Sequence, residues 1–237
     1  MDELSSRFLD AFTAIEKHLR TLLDADRHMT FNEMVEKAAK SDKGVRRLRG
    51  QLKDFGELRN FVVHEYRRDQ PTASPSAHAV ERLQAIRDEL LSPPRLIDLF
   101  RQQVETCAPT DPVGAAARKM HDGSFSQLPV YEGDRLVGLL TAETVARWLA
   151  SRLAGGLGLL EEESVEVVMR HEEGTHTYVV MDRDATVEDA FTAFDDHLRS
   201  GKSLDAIILT HSGGETERPL GIVTVSDMPR LLGAVRA

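Results

Sequence analysis

The sequence predicts an α + α/β protein, in which an all-α helical bundle over residues 1–92 precedes a duplicated β-α-β-β-α region. Three observations carry this. Apolar residues recur at helical spacing through the first part with no strand-like alternation. Pro93-Pro94 interrupts the chain where neither helix nor central strand continues easily. Beyond that break, the second part repeats itself. Charge divides at the same place. Residues 1–92 carry 16 basic and 16 acidic side chains, whereas residues 93–237 carry 14 and 23, so the net charge of −9 belongs wholly to the second part.

In the first part, Leu4, Phe8, Phe12, Ile15, His18 and Leu22 follow steps of three and four residues and predict the first helix. Thr30 with Glu33 three residues on reads as a capping box opening a second helix through Ala39. Ser41-Asp42-Lys43-Gly44 breaks it. A third helix is expected over residues 45–66, with a kink at Gly56. Pro71, Ser74 and Pro75 mark a loop, and a last helix runs to Leu91.

In the second part, Leu128-Pro129-Val130-Tyr131 and Leu136-Val137-Gly138-Leu139-Leu140 read as strands joined by Glu132-Gly133-Asp134. A helix over 142–154 follows. Residues 177–181, 206–209 and 220–223 are further strands, residues 187–194 a helix, and the chain ends in another. Pro219-Leu220-Gly221-Ile222-Val223-Thr224 repeats Leu136-Val137-Gly138-Leu139-Leu140-Thr141 at an offset of 83. Ile207-Ile208-Leu209 repeats Leu128-Pro129-Val130 at 79, and Ala185-Thr186-Val187 repeats Asp111-Pro112-Val113 at 74. Insertions near 199–203 and 212–218 account for the growth. The expected boundaries are 1–92 for the bundle, 93–98 for a linker, 99–154 for the first repeat, 155–163 for a hinge and 164–237 for the second repeat.

Composition narrows the function classes. One cysteine, Cys107, excludes an intrachain disulfide framework, and with no base placed near it a nucleophile is not expected. No apolar run approaches the roughly 20 residues that span a bilayer, and the opening MDELSSRF is not a secretory signal, so a cytoplasmic protein with no membrane partner is expected. Gly155-Gly156-Leu157-Gly158 lacks a following Lys-Ser/Thr and reads as the hinge rather than a phosphate loop. His171 and His176 flank an internal glycine at a spacing that suits a loop, so no metal site is expected. Residues 43–68 form a local exception to the acidity, with eight bases against three acids.

The repeated region resembles a tandem pair of CBS domains, also called a Bateman module, over about residues 99–235. The motif that carries this is Gly221-Ile222-Val223-Thr224-Val225-Ser226-Asp227 at a strand-to-helix junction. A Thr hydroxyl and backbone N–H groups at a helix start suit a phosphate, and a carboxylate three residues on suits two ribose hydroxyls. The resemblance implies those roles for Thr224 and Asp227, with Gly221 and Thr141 in the same motif of the two repeats. It also implies a regulatory adenine nucleotide (AMP, ADP, ATP or S-adenosylmethionine), no required cofactor, and a homodimer. The first repeat departs from the pattern, with Thr144 where Asp227 stands. Thr224 and Asp227 are equally good helix caps.

The bundle resembles the HEPN domains of ribonucleases and toxins, on Glu57-Leu58-Arg59-Asn60-Phe61-Val62-Val63-His64-Glu65-Tyr66. That family pairs an Arg, often followed by Asn, with a His four to six residues on, and Tyr66 extends the match to an Arg-x4-His-x-Tyr form. At 3.6 residues per turn, Asn60 and His64 share a face, Leu58, Val62 and Tyr66 form a core stripe, and Arg59 lies about 140° from His64. The resemblance implies metal-independent RNA cleavage across a homodimer. His64 would move the 2′-hydroxyl or leaving-group proton, Arg59 would stabilise phosphate charge, and Asn60 would orient its neighbours. Tyr66 is read as core or as a modification site. The basic stretch would hold the RNA backbone, or would be a solvated helix face.

Two functions follow. One is a nucleotide-regulated, toxin-like endoribonuclease with an RNA substrate and a cognate antitoxin. The alternative is a non-enzymatic CBS-pair sensor or adaptor whose helical domain dimerises or binds a partner.

Overall fold

The structure is a computed structural model that describes residues 2–26, 28–65, 74–153, 162–172 and 177–236. The chain divides into two compact units, Met1–Pro94 and Arg95–Ala237.

The first unit contains α1 (Glu3–Leu22), α2 (Phe31–Ala38), α3 (Lys43–Glu65) and α4 (Ala77–Leu91). The expected capping box opens α2: the Glu33 carboxylate accepts the Thr30 N–H and hydroxyl at 2.8 Å each, and Thr30 Oγ1 accepts the Glu33 N–H at 3.3 Å. Phe8, Ile15, Leu19, Met34, Leu52 and Ile86 are among the fully buried side chains of one core shared by the four helices. On α1 the buried stripe runs through Leu19, whereas His18 is only half-buried and Leu22 is exposed, so the apolar face turns a little from the expected one. Gly56 does not break α3. A Cβ there would lie 3.1 Å from a Phe31 ring carbon and 3.2 Å from Asn32 Oδ1, so the glycine lets the start of α2 approach α3 closely.

The second unit begins with α5 (Leu96–Phe100). The first repeat then comprises a short extended segment at Cys107, α6 (Val113–Gly123), β1 (Gln127–Glu132), β2 (Arg135–Thr141) and α7 (Ala142–Leu153). After α8 (Val165–Met169), the second repeat comprises β3 (Tyr178–Met181), α9 (Val187–Arg199), β4 (Ala206–Leu209), β5 (Gly221–Val223), a single 3-10 turn at Val225–Asp227, and α10 (Met228–Arg236). In the second repeat, β3 is parallel to β4 and β4 antiparallel to β5. The first repeat has the same order, with a parallel bridge from Cys107 to Val130 standing for the first strand and β1 antiparallel to β2.

The short helices α5 and α8 were not expected, and they exchange places. α5 precedes the first repeat, yet Leu96 and Phe100 are buried in the core of the second, with Val187, Ile207 and Leu231. α8 precedes the second repeat, yet Val165 and Val168 are buried in the core of the first, with Val113, Leu140 and Trp148. The hydrogen bonds match: Leu96 N–H donates to Ala185 O at 2.8 Å, and Val165 N–H donates to Asp111 O at 2.9 Å. The segment 93–98, expected as a linker, thus includes the first turn of a buried helix. Its apolar residues Leu96, Ile97, Leu99 and Phe100 are too few for a periodicity to show. Most of the expected hinge 155–163, including Gly155, Gly156 and Gly158, lies outside the described residues.

Candidate functional site

Thr224 and Asp227 come together where β5 passes into the 3-10 turn. Asp227 Oδ2 accepts the Thr224 N–H at 2.9 Å and the Thr224 hydroxyl at 3.1 Å, which caps the turn. Both residues also line a cleft of about 760 Å³. Ile222 of β5 and the turn supply one side, residues Gln102–Glu105 a second, and the end of α6 through Phe125 and Gln127 a third. Ile222, Val104, Met120 and Phe125 give it apolar surface, and Glu105, Asp227 and His121 are its ionisable side chains, with no Lys or Arg among them. A cleft of this size and mixed lining is suited to a flat base with a polar sugar. The strap 102–105 and the α6 end were not picked out from the sequence. Their one signal is that they follow α5 and α6 in a repeat where the facing motif is more evident.

In the first repeat the corresponding pair is turned inward. Thr141 Oγ1 accepts the Thr144 N–H at 3.0 Å and lies 2.9 Å from Thr144 Oγ1, and both side chains are buried. Thr141, grouped with the nucleotide-binding residues on the motif, here caps α7 inside the core. Gly221 is also buried and does not line the cleft. A Cβ on it would run into the carbonyl oxygen of Phe100 in α5. Its counterpart Gly138 stands in the same relation to the Met169 methyl of α8. The motif glycine therefore admits the exchanged helix.

In the helical unit Arg59, Asn60 and His64 all lie on α3. Val62 is fully buried, as the core stripe requires, and His64 is exposed on the last turn of α3. The Arg59 guanidinium lies 5.9 Å from the Phe12 ring centroid and donates to Asn60 Oδ1 at 3.3 Å. Arg59 and Asn60 line a second cavity, of which His64 is not part. Tyr66 lies outside the described residues.

The basic stretch is largely consumed by packing. Arg46 donates to the carbonyls of Ala39 and Lys40 at 2.8 Å each. Arg47 pairs with Glu89 of α4, and Arg49, at 2.9 Å, and Lys53 pair with Glu36 of α2. Lys53 first, then Arg49, hold the Glu36 carboxyl below its ordinary value. These pairs clamp α3 to its neighbours. Arg67 and Arg68 lie outside the described residues.

Cys107 is 4 % exposed, and burial, then Asp111, push its thiol up to about 11, which leaves little thiolate for nucleophilic chemistry. Among the described residues, no group of three His, Cys, Asp or Glu side chains could hold a metal, and no helix is long and apolar enough to cross a membrane. His176 lies outside the described residues.

Comparison with known proteins bears on the second unit. Three solved structures are similar to it in part. The CBS domain pair of protein MJ0100, in complex with 5′-methylthioadenosine and S-adenosyl-L-methionine, is 19 % identical, with a TM-score of 0.45 over 60 % of this chain and 97 % of that one. CBSX2 in complex with AMP is 17 % identical, with a TM-score of 0.44 over 61 % and 99 %. The CBS-domain protein ATU1752 from Agrobacterium tumefaciens is 20 % identical, with a TM-score of 0.42 over 58 % and 90 %. No curated protein matches the chain. Residues 96–151 match the model of the CBS domain family, and the repeat that follows them in the unit Arg95–Ala237 has the same strand order.

Proposed function

We propose that the protein is a sensor or adaptor in which the CBS pair binds one adenosine-containing ligand per chain and the helical unit serves assembly or partner binding. The observation that carries this is the cleft holding Thr224 and Asp227 together beside apolar Ile222 and Phe125. Asp227 Oδ2 is taken by Thr224, which leaves Oδ1 to accept ribose hydroxyls. Two carboxylates and one imidazole, with no Lys or Arg, favour adenosine with few phosphates over a triphosphate. The buried Thr141–Thr144 pair limits binding to one repeat. Exposed Leu149 and Leu153 on α7 and Leu232 on α10 offer apolar surface for a homodimer.

The endoribonuclease reading is the weaker one. Arg59 turns to Phe12 and Asn60, His64 is not in their cavity, and the neighbouring bases are paired with acids. RNA as substrate and a cognate antitoxin rest on that reading.

Thermal-shift and calorimetric titration with AMP, ADP, ATP and S-adenosylmethionine tests the sensor. One site per chain is expected, weakened tenfold or more by Asp227→Ala, with ATP the weakest ligand. No binding of any of the four overturns it. Mixed RNA incubated with wild type, His64→Ala and Arg59→Ala tests the other reading. Cleavage by wild type that both variants lose would reinstate the ribonuclease.

A further inference from the structure

The helical unit has a cavity of about 540 Å³ bounded by α1, the start of α2 and α3. One side of it is apolar. The rings of Phe12 and Phe31 lie 4.4 Å apart between centroids, and Met29 adds to them. The polar lining includes Arg20 and Arg59 and the amides of Asn32 and Asn60. Gly56 is part of the wall, and a side chain there would press on Phe31 and Asn32.

The charges in this cavity do not cancel. Glu16 is its single carboxylate, and Arg20 already holds it at 2.9 Å while donating to Asp26 O at 2.6 Å. Arg59 makes no ion pair among the described residues, and its partners there are the Phe12 ring and the Asn60 amide oxygen. A guanidinium laid on an aromatic face keeps N–H groups at its edge, and that edge matches a carboxylate or phosphate. Half-buried Phe31 and Met29 present apolar surface within the same cavity. A cavity of this size falls in the range, roughly 300–1,000 Å³, that holds small organic ligands.

We infer that this cavity binds a small organic anion built on a flat ring, with its carboxylate or phosphate on Arg59 and its ring against Phe31 and Met29. Asn60 and Asn32 then hydrogen-bond the polar edge of the ligand. The Arg59-Asn60 pair acts here as a binding pair, independent of His64 and of the adenosine cleft in the other unit.

Calorimetry on the full-length protein at low salt tests this, with uridine monophosphate, 4-hydroxybenzoate and inorganic phosphate as probes. The first two separate a phosphate-bearing from a carboxylate-bearing ring. At least one ring anion is expected to bind one per chain, at least tenfold more tightly than inorganic phosphate. Loss of a charge-assisted hydrogen bond in Arg59→Gln weakens it by about tenfold to a hundredfold. Asn60→Asp, at an exposed position, sets a carboxylate in the cavity and weakens it likewise without threatening the fold. Asp227→Ala leaves it unchanged, which keeps this site distinct from the cleft. The inference is overturned if neither ring anion binds at millimolar concentration, if inorganic phosphate binds as tightly, or if Asp227→Ala abolishes binding. Binding that survives Asn60→Asp and a folded Arg59→Gln also overturns it. If Arg59→Gln unfolds by circular dichroism, Asn60→Asp decides alone.

Discussion

The carbonyl oxygen of Phe100 stands where a Cβ on Gly221 would have to go. Backbone carbonyls in a packed helix have nowhere to retreat, so Gly221→Ala should cost about 2 kcal/mol or more in the unfolding of the second unit. At Gly138 the obstacle is the flexible end of Met169, which can swing aside, so Gly138→Ala should cost less than about 1.5 kcal/mol. Urea denaturation of the two variants compares them. Equal costs would mean that the exchanged helices are not held by these glycines.

Asp227 has two tasks that different replacements separate. Asp227→Ala removes the acceptor for both Thr224 donors and should cost about 1 kcal/mol of stability, together with ligand binding. Asp227→Asn keeps an oxygen for the cap, so its stability should stay within about 0.5 kcal/mol of wild type while adenosine-ligand affinity still falls. A stable Asn variant that binds as well as wild type would assign the residue to capping alone.

Thr144 invites an attempt to build a second site by copying the second repeat. The side chain is 3 % exposed and bonded to Thr141, so Thr144→Asp brings a carboxylate into a dry contact. The variant should lose about 2 kcal/mol or more and gain no second binding event in a titration. Two ligands per chain in this variant would show that the first repeat opens.

The loop after β4 carries a pH signature. Glu217 accepts from the Ser212 hydroxyl and, at 2.7 Å, from the Ser212 N–H, and these bonds hold its carboxyl well below the ordinary 4.5, at about 2. The folded value lies below the unfolded one, so the contribution is whole above about pH 4.5 and fades as the pH falls toward about 2. The stability gap between wild type and Glu217→Gln should therefore narrow over that window. A gap that widens with acid would reverse the assignment.

Much of this architecture is legible in the chain, because its strongest signals are local. The Thr30–Glu33 box, the periodicity of α1 and the repeated Gly-x-x-Thr each involve residues close in sequence. The exchanged helices are hidden because α5 and α8 have five residues each, and their apolar side chains answer to the other repeat rather than to their neighbours. The cleft was half visible for the same reason. Thr224 and Asp227 stand three residues apart, whereas Val104 and Phe125 reach them only through tertiary packing. At Arg59 the spacing to His64 is legible in the chain, whereas the Phe12 ring, 5.9 Å from the guanidinium on another helix, is not.

The crossing of α5 and α8 makes the second unit behave like an obligate heterodimer written as one polypeptide. Residues 96–151, expressed as a fragment, would carry α5 without the core it fills and lack α8, which fills theirs. Such a fragment should stay soluble only when the remainder of the unit is supplied in trans. Any excision that preserves the fold of this unit must keep residues 95–237 together.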